Sequence, residues 1–229
     1  MEFRNSTDLD SERLLALFLR YSEPYRHDRL RVSVRYSRGA DFSGTCFYRD
    51  ARIFVNLGRH VRYPYLLGTQ IARAKSNRTH WWREIYRLSI ADPYQLALFV
   101  YLHELYHYLV KTAGRSPRRK ESRCDRFAAR VLVDDYGARV TDSRGRPVPR
   151  EAWDFQEVEA FVAKARRAAA THPKPARRRK PKSQPKPSGP RMAATTASPE
   201  PATLPPLQPR AIPVVIYPMT GQQGLLFDL

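Results

Sequence analysis

Apolar residues along this chain change period several times, and each change marks an element. Behind Thr7 and Asp10, Leu14, Leu15, Leu17, Phe18 and Tyr21 recur at helical spacing, predicting an amphipathic first helix over 9–21. Residues 30–36 (LRVSVRY) then alternate apolar and polar positions, as a half-buried strand does. Cys46-Phe47-Tyr48 is a second, short strand candidate and 52–57 (RIFVNL) a third, with turn residues between them. Tyr63-Pro64-Tyr65 interrupts regular structure, and Trp81, Trp82, Ile85, Tyr86 and Leu88 predict a further helix, either beside a site mouth or as ordinary core.

The strongest periodic segment starts at Asp92, a good N-cap, and Pro93, whose missing N–H costs nothing in a first helical turn. Leu96, Phe99, Val100, His103 and His107 follow at three- and four-residue steps, and the run ALFVYLHELYHYLV is apolar nearly all round, predicting a central, buried helix. Within it His103-Glu104-Leu105-Tyr106-His107 puts two imidazoles one turn apart on one face with a carboxylate beside the first. That arrangement binds zinc and holds a general base, Glu104, against its water. Either histidine alone reads as a hydrogen-bonded core residue; the pair with an adjacent glutamate reads as a metal site.

A catalytic zinc needs a third protein ligand and an open position. After a break at Thr112-Ala113-Gly114, a second helix is predicted to open at Ser116-Pro117 and run through ESRCDRFAARVLVDDY to Gly137. Glu121 and Asp125 share one face of it, which makes Glu121 the expected third ligand and Asp125 the acceptor for the free N–H of a ligating histidine.

LHELYHYLV followed by ESRCDRFAARVL resembles the ImmA/IrrE group of HExxH metallopeptidases, whose second helix carries a similar E-x-x-A-(D/N)-x-F-A-x-x-L-L signature. The matching positions are His103, Glu104, His107, Glu121, Asp125, Phe127, Ala128 and Leu132, with Cys124 where the group has a small alanine. SprT-like proteases are the nearest competitor, but their third ligand is a later histidine and none lies between His107 and His172 here. The resemblance, over roughly residues 95 to 135, implies an α+β, zincin-like fold: an N-terminal helix, a short, mostly antiparallel sheet and the metal helix. It further implies peptide-bond hydrolysis with Zn2+ as cofactor, and substrate added as a strand to residues 52–57. Tyr106, Tyr136, His80 and several arginines are all conceivable second donors to the oxyanion.

A last helix is expected from Asp154, with Glu157 completing a capping box and Val158, Phe161, Val162 and Ala165 as its apolar stripe. The catalytic domain is therefore placed at 1–172. Thirteen of the nineteen prolines lie from Pro173 onward, so 173–211 reads as a disordered basic linker unable to bury a core. Residues 212–229 are apolar again and read as a docking peptide: Gln223, Leu226 and Phe227 resemble the motif by which bacterial proteins dock on the sliding clamp, with a packing strand on the chain's own domain as the alternative.

The net charge of +19 is spread over both parts. Arg177, Arg178, Arg179, Lys180, Lys182 and Lys186 are suited to phosphate contact, and DNA is an expected partner. Two cysteines give no disulfide framework, and no secretory or membrane-spanning segment is visible, so a reducing cytoplasmic location is expected. Two functions compete on these grounds: a zinc endopeptidase acting on a protein substrate near DNA, and a non-catalytic binding module on the same scaffold.

Overall fold

The computed structural model describes residues 1–25 and 28–171, a mixed α/β arrangement of four helices and small sheets. The linker, the basic cluster at 177–186 and the terminal peptide at 212–229 lie outside these residues. Strand β1 (Glu2–Asn5) leads into helix α1 (Ser11–Ser22), whose N-cap Asp10 accepts from the Arg13 amide. Strands β2 (Arg31–Tyr36), β3 (Phe42–Phe47) and β4 (Arg52–Leu57) complete a four-stranded sheet in the order β1-β2-β4-β3. Alternation does the work that the sequence predicts: Val32, Val34, Ile53 and Val55 point into the core while Arg31, Arg35 and Arg52 leave it.

This sheet corrects the expectation of a mostly antiparallel one. β1 pairs β2 and β2 pairs β4 in parallel, and only β3 runs antiparallel, to β4. The cause is non-local: helix α1 is the crossover that returns the chain parallel to β1, a strand whose four residues carry no legible pattern. Strand β4 is consequently interior, so residues 52–57 have no free edge to offer a substrate. The edge belongs to β3, which starts at Phe42, four residues before the expected Cys46, because Ser43-Gly44-Thr45 reads as a turn in sequence yet pairs in register with Phe54 to Asn56.

Residues 59–91 are also different from expectation. They form β5 (Tyr65–Thr69), β6 (Ala74–Ser76), β7 (Trp81–Arg83) and β8 (Tyr86–Ile90), with no helix over 81–88. The spacing of Trp81, Ile85 and Leu88 that mimics a helical stripe comes from two short strands of period two, interrupted at Glu84-Ile85. β6 and β7 make a hairpin, while β8 lies between β5 and β9 (Val140–Thr141).

Helix α2 (Pro93–Thr112) begins and ends as expected, with the Asp92 side chain accepting from the Gln95 amide and Gly114 beyond the end at positive φ. It is buried along most of its length, packed on β3 and β4 and against helix α3 (Glu121–Tyr136). Helix α3 starts at Glu121, later than Ser116-Pro117, since Arg119 takes a left-handed φ of 59° that breaks any earlier turn; Gly137 ends it at φ 65°. Helix α4 spans Val158–Thr171, and Asp154 does not cap it: its carboxylate accepts from Arg130 and Arg150, tying the preceding loop to α3. No helix among the described residues is long and apolar enough to cross a membrane.

Candidate metal centre

The facing sides of α2 and α3 bring His103, Glu104, His107, Glu121 and Asp125 together. His103 and His107 project from successive turns of α2, their rings 5.0 Å apart. The Glu121 carboxylate, in the first turn of α3, faces both: Oε2 lies 3.1 Å from His103 Nε2 and Oε1 3.4 Å from His107 Nε2. One turn along α3, Asp125 Oδ1 lies 2.8 Å from His103 Nδ1, and its Oδ2 accepts from the Gln70 amide at 2.7 Å. The i, i+4 spacing of Glu121 and Asp125 thus lets one carboxylate meet each nitrogen of the same ring.

These contacts create a charge problem that a cation solves. If His103 Nδ1–H donates to Asp125, the Nε2 lone pair confronts a Glu121 oxygen, and two acceptors at 3.1 Å require a proton or a metal between them. Without metal the proton wins. Burial lowers the His103 imidazole, but hydrogen bonds to Asp125 and Glu121 and the nearby charge of Glu104 overcome this and bring it up to about 10. Hydrogen bonds from His103 and His107 hold Glu121 well below the usual carboxylate range, against the effect of burial. His107 Nδ1 is buried and lacks a hydrogen-bond partner among the described residues, so the polar chemistry of this ring is carried by Nε2, which faces Glu121.

The spacing fits a metal. A tetrahedral ion with bonds of about 2.0–2.1 Å holds two nitrogen or oxygen ligands roughly 3.3 Å apart, and the two imidazole–carboxylate separations are 3.1 and 3.4 Å. The Cys124 sulfur is a further candidate that sequence reasoning passed over as a replaced alanine: ligand atoms of His103, His107 and Cys124 all lie within 4.8 Å of one another. Burial first, then the carboxylates of Glu121, Asp125 and Glu104, push this thiol well above its ordinary range. Glu121, unlike Cys124, addresses both imidazoles at once, one carboxylate oxygen to each.

Glu104 follows His103 along α2. It is 8% exposed, and burial raises its carboxyl against the lowering influence of His103 and His107. It packs on Gly44 of β3: a Cβ built there would lie 2.7 Å from Glu104 Cγ and 2.9 Å from Cδ. The inward side of β3 continues through Cys46 to Tyr48 just past the strand. Burial, with the charges of Cys46, Glu104, Cys124 and Glu121, keeps the Tyr48 phenol protonated, its ionisation pushed up to about 12. Gly44 lies against Glu104 though no local motif marks it; only the β3–β4 register reveals it.

The proposed oxyanion donors are placed elsewhere. Tyr106 is buried and donates to the Val158 carbonyl at 3.0 Å, Tyr136 meets Tyr21, and His80 lies on the β6–β7 hairpin beside Thr79. Comparison with protein families, curated proteins and solved structures returns no match to this chain.

Proposed function

We propose that this chain is a zinc-dependent endopeptidase of zincin-like build. The carrying observation is the convergence of His103 Nε2, His107 Nε2 and the Glu121 carboxylate at ligand spacing, with a buried glutamate, Glu104, of raised pKa beside them. His103, His107 and Glu121 would hold the ion, which when bound supplies a Lewis acid and a water of lowered pKa. Asp125 fixes the tautomer of His103. Glu104 takes the proton from the attacking water and returns it to the leaving amine, a shuttle helped by the burial that raises its carboxyl. Tyr48, on the inward side of the chain just past β3 and kept protonated by burial, is the candidate donor to the developing oxyanion, in place of Tyr106, Tyr136 and His80. The β3 edge, next to Glu104, would align an extended peptide by main-chain hydrogen bonds.

Cleavage of an unfolded fluorescent casein, with and without DNA, tests this reading. Wild type is expected to cut it, and Glu104→Gln to retain metal while losing cleavage; equal rates in the two proteins would refute the role of Glu104.

Proximity to DNA and docking on the sliding clamp rest on sequence alone, through the basic cluster Arg177, Arg178, Arg179, Lys180 and Lys182 and the terminal Gln223, Leu226 and Phe227. Calorimetry of the isolated tail against the clamp tests the latter, with Leu226→Ala/Phe227→Ala expected to abolish the heat of binding.

One observation favours the binding-module reading. With Cys124 as a fourth ligand the site would be closed, as structural zinc sites are. Cobalt substitution separates the two: a thiolate-to-cobalt charge-transfer band that disappears in Cys124→Ala marks the closed site, and its absence marks the open, catalytic one.

A further inference from the structure

The β6–β7 hairpin exposes what soluble surfaces ordinarily cover. Trp81 is 67% and Trp82 45% exposed, on adjacent positions of β7 whose side chains leave opposite faces of the ribbon. The tip is built: Asn77 Oδ1 accepts from the amides of Thr79 at 3.0 Å and His80 at 2.7 Å, and the Asn77 amide bonds the His80 carbonyl at 2.8 Å. The root is braced too, since Arg83 donates to the Gln70 carbonyl at 2.7 Å, and the Gln70 amide bonds Asp125. Two indoles are therefore held out on a turn of fixed shape.

Their surroundings select the partner. From Arg73 to Arg87 the chain carries five Lys and Arg against one carboxylate, Glu84, which Lys75 neutralises at 2.5 Å. Such a cationic strip repels basic surfaces and attracts a polyanion, while the indoles require flat apolar partners. Single-stranded nucleic acid offers both, a phosphate chain and unpaired bases with free faces; a duplex offers phosphates but keeps its bases stacked. The outer face of the four-stranded sheet is basic as well, but its ring at Phe54 is already covered by Arg35 at 4.0 Å.

We propose that the hairpin 74–83 is a docking element for single-stranded nucleic acid, with Trp81 and Trp82 stacking on unpaired bases and Arg78 and neighbouring cations meeting the phosphates. This goes beyond the peptidase reading and is independent of it, because binding is measured without cleavage and holds whether or not metal is present.

Fluorescence anisotropy of a labelled oligothymidylate of about 15 nucleotides, titrated with the full chain, tests the proposal. Wild type is expected to prefer the single strand to a blunt duplex of equal length. Trp81→Ala/Trp82→Ala should weaken single-strand binding by at least about thirtyfold while leaving duplex binding nearly unchanged, since the basic tail remains. Trp81→Phe/Trp82→Phe should restore most of the affinity, which a purely structural role of the hairpin would not predict. In the double alanine variant Trp153, 2% exposed, is the sole remaining tryptophan, and unshifted emission from it certifies the fold. Equal affinity of wild type and the folded double variant for the single strand would overturn the proposal. So would binding by wild type alone to anionic vesicles with no single-strand preference, which would make the tryptophans a membrane contact.

Discussion

Replacing Gly44 with alanine probes the general base without touching a ligand. The backbone at Gly44 is ordinary strand, so alanine adds no strain of its own, and removing glycine's excess chain freedom stabilises by about 0.5–1 kcal/mol. Opposing this, the new Cβ lies 2.7 Å from Glu104 Cγ, where ordinary contact begins near 3.4 Å. The carboxylate oxygen Oε1 would lie closer still, so the buried side chain must retreat by about 1 Å or leave its rotamer, an overpacking that costs about 1–3 kcal/mol. The net effect on chemical denaturation should be a loss of about 1–2 kcal/mol. Activity should suffer more than stability, because a displacement approaching 1 Å in a catalytic group costs about a hundredfold in rate. Casein cleavage measures the rate and equilibrium dialysis with zinc measures the metal, which Gly44→Ala should bind as wild type does. A variant with wild-type stability and wild-type rate would refute the account of Glu104 resting on Gly44.

Asp125→Asn keeps the shape but supplies one acceptor where the His103 ring and the Gln70 amide need two. Zinc affinity should fall about ten- to a hundredfold by competition with a chromophoric chelator; no change would remove Asp125 from the site. Chelator-treated protein should show a pH signature in thermal unfolding. His103 is raised from 6.5 to about 10, so its contribution is full below 6.5 and lost as pH climbs through 10. Glu121 is lowered from 4.5, so its contribution is full above 4.5 and lost as acid is added. The cluster should therefore stabilise most between 4.5 and 6.5, and a Glu121→Gln protein should lose that maximum; an identical pH profile for the two proteins would contradict the pairing. For the same reason, zinc uptake near neutral pH should release a proton, seen as a heat that changes with the ionisation enthalpy of the buffer.

What was legible in the sequence was local. Asp92 and Pro93 fix the start of α2 within the chain itself, and His103, His107, Glu121 and Asp125 are each placed by helical spacing that no distant contact need enforce. What was not legible depends on pairing across the chain. The parallel register of β1, β2 and β4 is chosen by the α1 crossover, and Gly44 acquires meaning only because β3 lies against Glu104. The helix expected at 81–88 fails because Trp81 and Trp82, at home in strands, face solvent rather than a core. Asp154 looked like a cap because Glu157 follows at the right distance, yet Arg130 and Arg150 compete for its carboxylate and win.

We propose that His103, His107 and Glu121 hold a metal while Glu104 does not. Elemental analysis of zinc per chain in wild type, Glu104→Gln and Glu121→Ala, each purified identically and without an affinity tag, tests it most directly. About one zinc per chain is expected in the first two and nearly none in the third. A wild-type chain without metal, or a Glu121→Ala chain that retains it in full, would rule this ligand set out.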